Sequence, residues 1–166
     1  MPADLVMYDT IDPAQLDGIA MDAAAGYVDG RFRTFPELPA HTEGGTRLVS
    51  ITVLGGQADA VDIETGDVTP AAGAQWADAQ IHTGHWRPII YTSAANVATM
   101  NTLMWDAHKR PRTLYRIWSA HYGIGRHVCT PKACGFPTAD GTQWTNGPVH
   151  GRNLDESALM WDFFRC

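Results

Sequence analysis

Ala60-Val61-Asp62-Ile63-Glu64-Thr65-Gly66-Asp67, then Thr69-Pro70-Ala-Ala-Gly-Ala-Gln-Trp76-Ala-Asp-Ala-Gln-Ile81-His-Thr-Gly84, then Pro88-Ile-Ile-Tyr91-Thr-Ser93, is the stretch that decides the architecture. The first run is short, apolar and β-branched and closes on a Gly-containing polar turn, which is how a strand reads. Thr69 supplies a capping hydroxyl, Pro70 stands at the first helical position and Gly84 lies past the end, so a helix is predicted between them. Pro88 to Tyr91 is the next strand. After Ser93 as N-cap, Val97, Met100, Leu103, Met104 and Ala107 recur at helical spacing until Pro111. Leu114 to Tyr122 reads as a further strand, and strand, helix, strand, helix, strand is the order of a parallel sheet.

Working outward, the same kind of run recurs on both sides. Leu5 to Tyr8 ends at Asp9, Gly26 to Val28 at Asp29-Gly30, and Leu48 to Leu54 at Gly55-Gly56; Gly141 to Thr145 and Arg152 to Asp155 close the series. Eight candidate strands, taken as parallel, predict an α/β fold: a compact, helix-depleted (β/α)8 TIM-type barrel formed by residues 1–166 as a single domain. A regular barrel of this type takes about 250 residues, so several helices must be lost or shortened. An open doubly wound sheet is the alternative, without a G-x-G-x-x-G or P-loop fingerprint to support it. Asp12 to Ala25 reads as a short helix and Phe32 to Thr46 as a loop with at most one helical turn. Gly123, Gly125, Pro131, Gly135 and Pro137 punctuate a long excursion between strands six and seven, expected to lack regular structure.

Composition narrows the function classes. With 166 residues and 45% hydrophobic content, the chain can bury a core without metal or disulfide staples. A net charge of -6 and no Lys/Arg cluster argue against nucleic acid as a partner. No apolar run approaches the roughly 20 residues that span a bilayer, so no membrane partner is expected. Met1-Pro-Ala-Asp-Leu-Val lacks the basic and apolar regions of a secretory signal; the expectation is a soluble chain made in the cytoplasm.

Strand periodicity puts Asp62 and Glu64 on one face and Val61 and Ile63 on the other. If the apolar pair faces the helices, both acids face the barrel axis at the C-terminal end of the strand, where barrel enzymes carry their catalytic groups. Crowding raises the pKa of at least one acid, as protonation of a glycosidic oxygen requires. A solvated strand end is the alternative. Asp9 and Asp155 fall at the ends of the first and last strands, neighbours in a closed barrel, so four carboxylates could converge on one mouth. Glu64 reaches further and is flanked by Tyr91, so it is expected to stay protonated while Asp62 ionises first.

Sugar rings stack on aromatic faces. Trp118 and Tyr122 share a strand face by alternation, and Tyr91 and Trp144 close neighbouring strands; these four are the candidate substrate-binding aromatics. His121, His127, Cys129 and Cys134 could in principle ligate zinc, but their spacing matches no standard finger. A loop disulfide or two free thiols is the expectation, with no metal and no cofactor. His82 and His85 read as surface residues near a helix end, and with Cys166 the three cysteines are too few for a disulfide scaffold.

The order Asp9, Val61-Asp62-Ile63-Glu64, Ile90-Tyr91-Thr92, Trp118-Ser-Ala-His-Tyr122, Gln143-Trp144 and Asp155 resembles glycoside hydrolase family 25, the phage and bacterial muramidases. Tyr8-Asp9-Thr-Ile-Asp12, Ala25-Gly-Tyr-Val-Asp29-Gly30 and Val61-Asp-Ile-Glu64-Thr-Gly-Asp67-Val-Thr-Pro70 are similar to glycoside-hydrolase-like domains of actinobacteria and their phages. The resemblance implies hydrolysis of the β-1,4 glycan bond of peptidoglycan, with Glu64 as general acid, Asp62 as partner carboxylate, and Asp9 and Asp155 as supporting acids. It also implies action at a cell wall, after holin-type release or as a virion component with virion partners. The chain lacks the Gln-Gly that follows the first acid in muramidases, and its third strand lacks their usual polar ending. A rival reading is therefore a non-catalytic barrel that binds wall glycan or serves in a virion or tail.

Overall fold

The computed structural model describes residues 4–84 and 87–165. Met1 to Ala3, His85, Trp86 and Cys166 lie outside the described residues, and with them the readings of His85, of Cys166 and of the first residues of the N-terminus. Eight strands close a barrel in chain order: β1 (Leu5–Asp9), β2 (Ala23–Tyr27), β3 (Arg47–Thr52), β4 (Ala60–Ile63), β5 (Ile89–Ser93), β6 (Arg116–Ala120), β7 (Gly141–Thr145) and β8 (Asp155–Leu159). The helices are α1 (Leu38–His41), α2 (Pro70–His82), α3 (Val97–Asp106) and α4 (Pro131–Cys134). Among the described residues, only α2 and α3 exceed one turn by much, and no helix is long and apolar enough to cross a membrane.

Side chains alternate across each strand, and the apolar residues sort accordingly. Met7, Ala23, Ala25, Val49, Ile51, Ala60, Ile89, Tyr91, Trp118 and Leu159 fill the barrel interior. Val61, Ile63, Ile90 and Ile117 point outward under α2 and α3, against Trp76, Met100 and Met104. Tyr8, Ala24, Leu16 and Leu38 form a third cluster under the short elements that follow β1 and β2.

The arc β4–β5–β6 is parallel as expected, with Asp62 beside Tyr91 and Tyr91 beside Trp118. Thr69 caps α2 by accepting a hydrogen bond from Ala72 N. Ser93 makes no such bond; a 3-10 turn, Ala94–Asn96, intervenes before α3.

An all-parallel barrel is not what forms. β8 starts at Asp155, where the sequence reading ends it, and runs antiparallel to both β1 and β7. The connection, residues 146–154, folds back on itself through the antiparallel Val149–Arg152 bridge and returns the chain alongside β7, as a hairpin does. Economy of chain explains the missing helices. The segment expected as a helix, 12–25, is a 3-10 turn at Pro13–Leu16 followed by β2, and the segment after Phe32 holds a 3-10 turn and α1. β4 begins beside Ile51, near the end of β3, so a short loop joins that parallel pair. The excursion after β6, expected to be irregular, contains the one-turn helix α4, capped by Thr130 and ended by Gly135 at φ +79.

Candidate active site

Asp62 lies on β4 and points with Ala60 into the barrel; it is 2% exposed. Glu64 follows the strand in an exposed turn, Glu64-Thr-Gly-Asp67, closed by Asp67 N donating to Glu64 O at 3.1 Å. Gly66 takes φ +100, which a residue with a Cβ rarely adopts, and the turn carries Asp67 back over the mouth. Carboxylate oxygens of Asp62, Glu64 and Asp67 lie within 4.8 Å of one another.

Asp9 ends β1 and Asp155 starts β8, directly paired across the antiparallel ladder. Reversal of β8 thus brings Asp155 to the same mouth, since its N-terminal end stands where the other strands have C-terminal ends. All four acids are raised above ordinary carboxyl values. Burial is the leading cause for each: it pushes Asp62 up to about 8 and Asp155 up to about 6, with Glu64 adding repulsion to both. Asp9 is raised well above its usual value by burial, then by Asp155, Asp62 and Glu64. Glu64 is raised by burial and Asp67. The expected order of ionisation is therefore not what the geometry supports: Asp62 is the more deeply buried of the pair, and desolvation penalises its charge first.

Hydroxyls and an amide knit the acids together. The Tyr27 hydroxyl faces Asp62, and that of Tyr91 approaches Glu64. The Tyr91 hydroxyl donates to Gln143 Oε1 at 2.5 Å, Gln143 reaches toward Asp155, and the Tyr122 hydroxyl stands near that of Tyr91. Asp9 Oδ1 and Asp62 Oδ1 are buried without a hydrogen-bond partner among the described residues. A cleft of about 330 Å3 opens above Asp62 and Glu64, walled by Tyr27, Asp29, Arg31 and Phe32. A hollow of about 220 Å3 adjoins Asp9 and Asp155.

The aromatic expectations divide. Tyr122 is 42% exposed and offers a surface at the mouth. Tyr91 is buried and contributes its hydroxyl rather than a ring face. Trp118, expected at the substrate, is instead 1% exposed: its ring lies 4.5 Å from that of Tyr91 and its Nε1 donates to Ser157 Oγ at 2.9 Å. The alternation that points it inward places it one layer too deep to meet a sugar. Trp144 is half-buried beside a β-bulge that interrupts the alternation, with a buried Nε1 lacking a partner among the described residues.

Tyr27, Gln143 and Phe32 also line the site and are not among the sequence candidates. Tyr27 and Gln143 hold inward, mouth-end positions on their strands, a signal the alternation carries once the strand bounds are known; Phe32 lies in a loop and carries no such signal. Asp29 is tied to β3 through Thr52 Oγ1 at 2.5 Å and Val53 N at 2.8 Å, so it braces the cleft wall.

His82 is at the surface beside Arg110 and Asp78. Cys129 and Cys134 are both free thiols. Besides the acids, donor atoms of His121, His127, Cys129 and Cys134 gather within 4.8 Å of one another.

No protein-family model and no curated protein matches the sequence. Solved structures do. A bacterial lysozyme from Streptomyces coelicolor is 13% identical, with 96% of this chain and 93% of that chain covered and a TM-score of 0.54. A muramidase from Acremonium alcalophilum is 14% identical, with 97% and 96% covered and a TM-score of 0.56. A family GH25 lysozyme from Aspergillus fumigatus is 15% identical, with 94% and 93% covered and a TM-score of 0.56. The eight-stranded barrel described above is thus the fold of these lysozymes over nearly their whole length, and the chain carries a domain with the fold of glycoside hydrolase family 25.

Proposed function

We propose that this protein is a glycoside hydrolase that cleaves the β-1,4 glycan bond of bacterial peptidoglycan, with Glu64 as general acid and Asp62 as its partner carboxylate. The observation that carries the reading is the convergence of Asp9, Asp62, Glu64 and Asp155 on one open mouth, all with raised proton affinity. Such a concentration of acid stabilises an oxocarbenium-like transition state, and repulsion makes it costly without that use.

The open cleft leaves Glu64 partly open to water until a sugar chain covers it. A bound chain excludes that water, raises the Glu64 carboxyl and draws the shared proton from Asp62 toward the glycosidic oxygen. Asp62, then ionised and faced by the Tyr27 hydroxyl, supports the positive charge that develops at the anomeric carbon. Separation of the pair within 4.8 Å is close to the roughly 5 Å of retaining enzymes and leaves no room for the water an inverting reaction interposes. Retention is therefore expected, with either Asp62 or the substrate's acetamido oxygen as nucleophile. The site of action we infer is the bacterial wall, reached after release from the cell or as part of a virion.

Purified protein should clear a peptidoglycan suspension, and Glu64→Gln should slow clearing by about 10²- to 10⁴-fold, with NMR of early products showing the β-anomer. Binding of peptidoglycan without release of new reducing ends by the unmodified protein would leave the glycan-binding barrel as the better account.

A further inference from the structure

We propose that His121, His127, Cys129 and Cys134 form a zinc site that clasps the excursion between β6 and β7 and fixes the wall of the mouth carrying Tyr122. The excursion has little regular structure to order it, yet its four donors converge. One ligand atom from each lies within 4.8 Å of all the others. Around tetrahedral zinc, with bonds of about 2.0 Å to nitrogen and 2.3 Å to sulfur, donors stand about 3.3 to 3.8 Å apart. His121 Nδ1 and His127 Nε2 are 2.9 Å apart and Cys129 Sγ is 3.5 Å from His127 Nε2, so adjustments of an ångström or so complete the sphere.

Orientation of the donors is a second, independent observation. His127 Nδ1 lies 2.7 Å from the Gly125 carbonyl, which only accepts; the ring proton therefore sits on Nδ1, and the Nε2 lone pair faces His121 and Cys129. A backbone carbonyl holding the far nitrogen is how metal-ligating histidines are oriented. Cys129 is buried, its backbone N–H donates to Thr142 Oγ1 at 2.8 Å, and the Ser119 and Thr142 hydroxyls face its sulfur. Cys134 is presented by α4, whose cap and left-handed Gly135 set the turn. Phe136 covers His121 edge-on, with centroids 5.3 Å apart.

The donor set selects the metal. Two thiolates and two neutral imidazoles cancel the charge of a divalent ion, giving a neutral unit that tolerates partial burial, and a tetrahedral S2N2 set favours zinc. Binding releases both thiol protons. The spacing is unlike a finger because the ligands come from a strand end, a loop and a one-turn helix that β7 anchors. His121 adjoins Tyr122, whose hydroxyl stands near that of Tyr91, so the clasp positions the mouth without touching the acids.

The test reads metal and not activity. Protein prepared under a phosphine reductant should contain about one zinc per chain by elemental analysis. Cobalt(II) substitution should produce sulfur-to-cobalt charge-transfer and tetrahedral d–d bands. Cys134→Ser should lower zinc content about tenfold or more while circular dichroism keeps the barrel signature, and His82→Ala should leave it unchanged. Where Cys134→Ser fails to fold, the zinc content and cobalt spectrum of the unmodified protein decide. Reduced protein that takes up no zinc in competition with a chromophoric chelator would overturn the proposal. So would zinc-free protein whose mass lacks two hydrogens and whose digest joins Cys129 to Cys134.

Discussion

At the scale of single residues, the mouth sacrifices stability for proton affinity. Asp62 rises from 3.8 to about 8 on folding and Asp155 to about 6, chiefly through burial. Between the unfolded and folded pKa values each of these acids binds more protons in the folded chain than in the unfolded one, so their contribution to stability is full below about pH 4 and is lost as pH rises toward 8. Thermal unfolding should accordingly occur a few degrees higher at pH 5 than at pH 8. Asp62→Asn, which removes the charge and keeps the shape, should flatten that dependence and raise the unfolding temperature at pH 8. A variant as pH-sensitive as the unmodified protein would move the cause away from Asp62. Hydrolysis should follow the same titration, strongest on the acid side of neutrality and falling as the pair loses its shared proton.

At the scale of elements, α2 lies so close to β4 that only glycine fits at the contact. A Cβ built on Gly73 would meet Ile63 Cδ1 at 2.2 Å and Cγ1 at 2.8 Å. In an exposed helix a Gly→Ala change would stabilise by about 0.5 to 1 kcal/mol. Here overpacking outweighs it, and Gly73→Ala should destabilise by about 1 to 3 kcal/mol in denaturant titration. Ile63→Val removes the nearer of the two atoms, so adding it should recover part of the loss, a coupling that independent sites would not show. Ile63 immediately precedes Glu64, so the single variant should also lose glycan cleavage more than its folded fraction explains.

At the scale of the whole molecule, the end of the barrel opposite the acids is closed by a clasp. Arg116, 6% exposed, donates to the Phe163 carbonyl at 3.1 Å and the Asp162 carbonyl at 2.9 Å, and pairs with Asp140 at 3.4 Å. Asp140 also accepts from Ile117 N at 2.7 Å and from Arg112. One carboxylate thus holds β6, the segment before β7 and the chain after β8, where Phe163 plugs the interior. Asp140→Ala leaves Arg116 buried beside an unpaired N–H and should cost about 3 kcal/mol or more. Since the acids lie at the other end, residual activity per folded molecule should be nearly unchanged at low temperature.

The sequence by itself determined what is local: the strand of Asp62, the capped helix at Thr69-Pro70, the parallel arc through β6, and the acid positions, because alternation and capping depend on neighbours in the chain. Only the tertiary structure decided what depends on closure. The direction of β8 follows from the turn-back at Val149–Arg152 and from ladder pairing, and it turns Asp155 from a strand end into a strand start while keeping it at the mouth. The depth of Trp118 and the proton order of Asp62 and Glu64 depend on how far each position sinks below the rim, a burial that no spacing encodes. The gathering of His121, His127, Cys129 and Cys134 is of the same kind: an irregular excursion folds back on β7, and distances through space replace intervals along the chain.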